Sequence, residues 1–298
     1  MTKIIIADNM ELEVVEEIKK LGQVVYKPAN LANELKDAEV LIVRSATQVN
    51  SELIANSARL KIVARAGVGL DNVDVAACGA KKIKVINTPG ASSNAVAELA
   101  IGLTIAMLRN VQKAHLQMKN KIWDKGKLIG SEVAGKTLGL VGFGRIGSMV
   151  ADKARALEME IIAYDPHPKE SEFVKFVDLK TLFANADIIS LHVALSEETR
   201  NLINKESIVK MKNGVYLINT SRGEVIDEDA LYEACKSGKI AGASLDVYKQ
   251  EPYNGKLLEL ENVYFTPHLG ASTKEAQIRI GKDLVEKLKQ ELVTWYEC

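Results

Sequence analysis

The chain is poor in cysteine. Its three thiols, Cys78, Cys235 and Cys298, are odd in number and far apart. They offer neither a disulfide framework nor the paired spacing of a metal site, which points to a reducing compartment. There is no excess of charge either. The 39 lysines and arginines equal the 39 aspartates and glutamates, which argues against a dedicated nucleic-acid or acidic-membrane binder, although a local basic pocket stays possible. No basic segment with an apolar signal core opens the sequence; MTKIIIADN enters a strand at once. No apolar run is long enough for a bilayer, and the most apolar helical stretch, Ala95 to Leu108, is interrupted by Glu98 and Thr104. Low-complexity segments and residue-level repeats are missing. These absences together predict a soluble, cytoplasmic protein with no metal, no nucleic acid and no membrane among its partners.

What is present is alternation. At 298 residues, 47% of them apolar, the chain has room for two domains with substantial cores. Short β-branched runs alternate with helical segments from residue 4 to residue 87, which predicts a parallel sheet covered on both faces. Thr88-Pro89-Gly90 closes that unit. The polar stretch 90–94 then reads as a hinge opening a long helix toward Lys119, and residues 120–135 read as a polar connection. The alternation resumes at Thr137 and continues to Phe265. Gly238 reads as a helix C-cap, and Ser272-Thr273-Lys274-Glu275 as a capping box for a last helix running toward Trp295.

One stretch organises the rest: KTLGLVGFGRIGSMVADKARALEMEIIAYD, residues 136–165. A buried strand, a glycine-rich turn, a helix and a second strand follow one another. Gly142 permits the sharp turn, Gly144 admits a pyrophosphate to the backbone, and Gly147 lets helix and strand pack closely. The helix start offers free N–H groups to phosphates. Asp165, ending the second strand, can accept a ribose diol and would repel a 2′-phosphate, so NAD is favoured over NADP. A glycine turn of another α/β protein, or a methyltransferase loop, remains as the alternative at this stage.

Ligands of open parallel sheets bind beyond the C-terminal strand ends. The polar residues there are Arg44-Ser45, Arg65 to Gly69, Asn87-Thr88, Asp165, His192, Asn219 to Arg222, Asp246 and Thr266-Pro267-His268. An arginine, a glutamate (Glu251) and a histidine on such turns are the minimum set for hydride chemistry on a hydroxy acid. The arginine holds the carboxylate, the histidine moves the hydroxyl proton, and the carboxylate fixes the histidine tautomer. His115 and His167 read as surface residues.

The segments VRSAT (43–47), RAGVGLDNVD (65–74), AVAEL (95–99), LVGFGRIG (140–147), INTSRGEVIDEDAL (218–231), LDVYKQEP (245–252) and TPHLGAST (266–273) resemble the NAD-dependent D-2-hydroxyacid dehydrogenases, and within them the D-3-phosphoglycerate dehydrogenases. The resemblance covers essentially the whole chain. It implies an α/β fold of two Rossmann-like, doubly wound parallel-sheet domains. The substrate domain is discontinuous (1–92 plus 272–298) and the NAD-binding domain continuous (93–271). It places the catalytic residues at Arg222, Glu251 and His268. It places cofactor contacts at Gly142, Gly144, Arg145, Ile146, Gly147, Asp165, His192, Val193, Thr220, Ser221, Arg222, Asp246, His268, Gly270 and Ala271, with Asp246 facing the nicotinamide carboxamide. Substrate contacts fall on Arg44, Ser45, Gly67, Val68, Arg222 and His268, with Lys127 a weaker candidate for a phosphate, reached from a neighbouring subunit.

The implied reaction is oxidation of D-3-phosphoglycerate by NAD, the entry to serine biosynthesis. The smaller domain closes over the substrate, and a homodimer forms through the cofactor domains with the helix from Ala95 at the interface. Glyoxylate or hydroxypyruvate reduction, formate oxidation and D-lactate chemistry are the alternatives within the family. An NADH-sensing corepressor on the same fold is the alternative outside enzymology; the short ends and lack of a disordered tail argue against it. The chain ends soon after the last shared helix, so no serine feedback through a C-terminal regulatory domain is expected. One departure stands out: many members read H-x-P-L where this chain reads His192-Val193-Ala194-Leu195.

Overall fold

The computed structural model describes residues 1–168 and 170–294. The expected helix end at Trp295 and the third thiol, Cys298, lie outside the described residues. The chain divides into two compact units: Met1–Ser92 together with the chain from Ala271 onward, and Ser93–Gly270.

The first unit alternates β1 (Lys3–Ile6), α1 (Leu12–Lys19), β2 (Gln23–Tyr26), α2 (Leu31–Glu34), β3 (Val40–Val43), α3 (Ser51–Ala55), β4 (Ile62–Arg65), α4 (Val75–Ala80) and β5 (Lys84–Asn87). The strands form one parallel sheet in the order β2-β1-β3-β4-β5. Side chains alternate across a strand, so a sheet buried on both sides needs apolar residues at every position. Val40 to Val43 meet that demand. Val40 and Ile42 join one core with Ile4, Ile6 and Val14, while Leu41 and Val43 join another with Ile5, Ile54 and Val63. The winding reverses between β1 and β3, the topological switch point of the sheet.

The second unit carries α5 (Ser93–Leu108), α6 (Val111–Lys119), β6 (Thr137–Val141), α7 (Arg145–Ala156), β7 (Glu160–Tyr164), β8 (Lys175–Phe176), α8 (Leu179–Asn185), β9 (Ile188–Leu191), α9 (Lys205–Lys210), β10 (Val215–Asn219), α10 (Glu228–Lys236), β11 (Ile240–Leu245) and β12 (Val263–Phe265). Its seven parallel strands run β12-β11-β10-β9-β6-β7-β8. The switch point lies between β6 and β9, so Gly142 and His192 leave the sheet side by side. Both expected sheets are therefore present, parallel and doubly wound.

Local expectations differ at three places. The single helix toward Lys119 is two helices bent by 63°. Asn110 sits in the left-handed region at φ 52°, and the returning segment caps the first helix, with the Ser131 N–H on the Leu108 carbonyl at 2.9 Å. Gly130 permits that approach, since a Cβ there would fall 2.2 Å from the Leu108 oxygen. The connection 120–135 holds a 3-10 turn, Lys125–Leu128. The capping box also shifts by one residue: the last helix, α11 (Lys274–Thr294), starts after Thr273, whose hydroxyl accepts the Ala276 N–H at 3.1 Å. The position three beyond that cap is an alanine, so no reciprocal glutamate bond exists. No single described helix is long and apolar enough to cross a membrane.

Candidate active site

The C-terminal ends of the second sheet gather the chemistry. β12 runs into Thr266-Pro267-His268, and His268 takes a left-handed backbone at φ 55°, a region histidine enters more readily than most side chains. Its Nδ1 lies 2.9 Å from Oε2 and 3.1 Å from Oε1 of Glu251. An ionised carboxylate only accepts, so Nδ1 donates in this pair. The Tyr248 N–H donates to Glu251 Oε1 at 3.2 Å and orients the carboxylate from behind.

The loop bearing His268 is itself held. Asp246, 1% exposed at the end of β11, accepts the Thr266 hydroxyl at 2.7 Å, the Leu269 N–H at 2.7 Å and the Gly270 N–H at 2.9 Å. Burial pushes its carboxyl above the usual range, and these hydrogen bonds oppose that push. Tyr248, whose phenol is raised to about 12 by burial, has its hydroxyl 2.9 Å from the Leu245 carbonyl and 2.8 Å from that of Thr266. Its ring stacks on Tyr253 at 4.5 Å.

Arg222 follows β10. Asn219 shapes its turn, accepting the Ser221 N–H at 3.0 Å and hydroxyl at 2.8 Å while donating to the Arg222 carbonyl at 2.9 Å. The next residue, Gly223, brings this turn against the Glu251 loop: a Cβ there would fall 2.0 Å from the Tyr248 carbonyl carbon. Backbone contact of that kind needs glycine. The turns of Arg222, Glu251 and His268 thus meet at one edge.

At the switch point, Gly142 has φ 96° and a Cβ on it would sit 2.5 Å from the His192 carbonyl oxygen; one on Gly147 would sit 2.3 Å from the Gly142 oxygen. Both glycines are demanded by packing. Gly144 differs, since a Cβ there meets nothing within 4 Å. It faces open space at the start of α7, where no side chain caps the helix. Asp165 accepts the Phe143 N–H at 2.7 Å and the His167 N–H at 2.8 Å.

Residues 101–270 match the model of the D-isomer specific 2-hydroxyacid dehydrogenase NAD-binding domain. The chain belongs to this family. It is 50% identical over 293 residues to a hydroxypyruvate reductase of Thermotoga maritima, covering 97% of this chain and 94% of that one. It is 44% identical over 302 residues to a D-3-phosphoglycerate dehydrogenase of Methanocaldococcus jannaschii, covering 98% of this chain but only 58% of that longer relative. Among solved structures, the D-lactate dehydrogenase of Aquifex aeolicus complexed with NAD and lactic acid superimposes with a TM-score of 0.88 at 31% identity, covering 99% of this chain and 97% of that one. The protein is an NAD-dependent 2-hydroxyacid dehydrogenase.

Several features of the second unit fit the NAD that the family binds. The open space at Gly144 and the uncapped start of α7 suit a pyrophosphate. The Asp165 oxygens each retain a lone pair for a ribose diol beside their backbone donors. The Thr220 hydroxyl is buried with no hydrogen-bond partner among the described residues, an orphan that a ligand can satisfy. His192 lies next to the glycine turn with Nε2 2.9 Å from the Ser190 hydroxyl, and burial lowers its pKa to about 4, so it is neutral near pH 7.

The remaining expected positions fall in the first unit. Arg44 and Ser45 follow β3, Gly67 and Val68 follow β4, and β3 and β4 are neighbours with Val43 opposite Arg65. The Arg65 guanidinium lies over Gly67, taking the place that a side chain there would need. Ala271 also belongs to this unit. Lys127 is exposed and ion-paired with Asp124 at 3.3 Å. Reading residue types at strand ends overlooked Gly223, Tyr248, Asp8 and Asn72. The signal for Gly223 was its place beside Arg222; the other three look like ordinary loop residues in the sequence.

Proposed function

We propose that Arg222, Glu251 and His268 carry a reversible hydride transfer at C2 of a D-2-hydroxy acid. The observation that supports this most is the 2.9 Å pair between His268 and Glu251. NAD, when bound, would supply the acceptor for the hydride of C2. Arg222 binds the substrate carboxylate and polarises the oxygen at C2. His268 Nε2 takes the hydroxyl proton, and the Glu251 carboxylate stabilises the imidazolium that results. In the reductive direction the same proton returns to the new alkoxide.

For the substrate, the reading is a three-carbon acid substituted at C3. D-3-phosphoglycerate, oxidised to 3-phosphohydroxypyruvate as the first step of serine biosynthesis, is the first candidate. Arg44, at the end of β3, gives a phosphate a cationic partner separate from the Arg222 that holds the carboxylate. Hydroxypyruvate reduction is the second reading, favoured by the 50% identity to a reductase of nearly the same length. Rates of NADH oxidation with phosphohydroxypyruvate, hydroxypyruvate, glyoxylate and pyruvate, measured side by side, decide between them. A kcat/KM at least tenfold higher for the phosphorylated acid supports the first reading, and the reverse order overturns it.

A homodimer completes the proposal. The cofactor domains join it, with the helix from Ala95 at the interface and the segment that follows this helix extending the face. Leu116, Met118, Ile122, Trp123 and Ile129 are 49–83% exposed and cluster in the segment after the 63° bend. Large apolar side chains grouped in this way on a surface call for a partner.

A further inference from the structure

The first sheet reverses its winding between β1 and β3, and Asp8 and Arg44 leave the sheet on either side of that crevice. Asp8 bridges it. Only 8% exposed, its Oδ2 accepts the Arg44 N–H at 2.6 Å and the Thr47 N–H at 3.3 Å, and its Oδ1 accepts the Thr47 hydroxyl at 2.6 Å. Asn72, 9% exposed, grips the same turn by its carbonyls: Nδ2 donates to Arg44 O at 2.7 Å and to Thr47 O at 2.6 Å. Asn72 is fixed in turn, since its own carbonyl accepts the Val49 N–H at 2.8 Å and the Val49 carbonyl accepts the Asp74 N–H at 2.8 Å. The segments VRSAT and RAGVGLDNVD are therefore one hydrogen-bonded device, with Ser45 left exposed at its tip.

We propose that Asp8 and Asn72 are positioning residues for the substrate. They hold the turn 44–47 in the conformation from which the Arg44 guanidinium and Ser45 meet the acidic groups of the ligand. They act on substrate affinity and leave the hydride step alone. This rests on the reading that Arg44 and Ser45 contact the substrate. A buried carboxylate and a buried amide are expensive to desolvate, and apolar packing would join two strands more cheaply. Placed at the ligand end of the sheet, these groups instead remove conformational freedom from a turn whose arginine must otherwise be ordered at each binding event. The Arg44 side chain is held as well, its Nη1 donating to the Asn9 carbonyl at 3.0 Å.

The test is steady-state kinetics with NADH and either hydroxypyruvate or phosphohydroxypyruvate, together with NADH titration and thermal melting. Asp8→Asn turns an accepting oxygen into a donor facing N–H or O–H groups. Both it and Asn72→Ala are expected to raise KM for the oxo acid about tenfold, with kcat and the NADH Kd changed by less than about threefold. Asn50→Ala is the control: it removes the cap of α3, where Asn50 Oδ1 accepts the Leu53 N–H at 2.9 Å, and is expected to lower Tm without moving KM. Arg44→Ala tests the underlying reading. An unchanged KM in that variant overturns the reading itself. A raised KM there, with unchanged KM in Asp8→Asn and Asn72→Ala, overturns the positioning role alone. Loss of kcat and NADH affinity in step with Tm also overturns it, as a general defect of the fold. If Asp8→Asn does not fold, Thr47→Val, which deletes the hydroxyl that Asp8 accepts, carries the same KM expectation.

Discussion

Glu251 and His268 stand seventeen positions apart on separate loops, yet the glutamate Oε2 and the histidine Nδ1 are 2.9 Å apart. An ionised carboxylate only accepts, which makes Nδ1 the donor of this pair. Replacing Glu251 by glutamine keeps an accepting oxygen for Nδ1–H but removes the charge that stabilises the imidazolium. Glu251→Gln is expected to lower kcat about 10- to 100-fold, and His268→Ala about 10²- to 10⁴-fold, with NADH binding within a few-fold of the parent. Pre-steady-state NADH consumption and fluorescence titration check the two halves. Retained turnover in His268→Ala would refute its role.

Two glycines of the turn, Gly144 and Gly147, make separable predictions. Gly144→Ala places a methyl group where nothing lies within 4 Å and at φ −78°, a conformation any residue adopts. The variant is expected to melt like the parent yet bind NADH at least about tenfold more weakly if the pyrophosphate packs against this backbone, as proposed. Gly147→Ala meets the Gly142 oxygen at 2.3 Å and is expected to lose both Tm and NADH affinity. Calorimetry and fluorescence titration on the pair distinguish a ligand space from a packing contact.

The same contrast shows what could be read from sequence. The glycine spacing, the strand ends and the acid at Asp165 follow from local chemistry, and these features sit as the sequence requires. The bend at Asn110 does not, because its cause is a segment some twenty residues away whose Ser131 N–H caps the helix. The short β8 is not legible, since two strand residues carry too little periodicity to register. Asp8 and Asn72 look like loop residues until the sheet order brings their partners together. What was illegible is what depends on non-local pairing.

Asp246 ties the His268 loop by three donors. Asp246→Asn keeps the shape but turns one oxygen into an amide that faces a donor. Burial raises the carboxyl in the parent, and these hydrogen bonds oppose that rise. The variant is expected to lose about tenfold in kcat as His268 drifts from Glu251, with a smaller change in Tm. A kcat within twofold of the parent would show that the loop needs no such tether.

His192 sets an acid limit on stability. Its folded pKa is about 4, against about 6.5 in an unfolded chain. Between those values the unfolded state binds the extra proton, so stability rises with pH through this window and falls on acidification. The contribution is whole above pH 6.5 and is lost progressively as pH drops toward 4, amounting to at most about 3 kcal/mol. His192→Asn, which can still reach the Ser190 hydroxyl, is expected to flatten the dependence of Tm on pH between 4 and 6.5 while leaving it unchanged above 7. Equal slopes in parent and variant would mean that the ring is solvated.

The exposed apolar segment yields a prediction about assembly. Trp123 is 72% and Ile129 83% exposed, and an aromatic anchor among aliphatic neighbours is the usual centre of an interface between copies. Trp123→Glu combined with Ile129→Glu is expected to convert a dimer to monomers in sedimentation velocity at micromolar concentration, since two carboxylates would be desolvated on each side of a self-complementary contact. The fold of each monomer should survive, because neither side chain belongs to a buried cluster. A parent protein that sediments as a monomer would refute the dimer, and a double variant that stays dimeric would move the interface elsewhere.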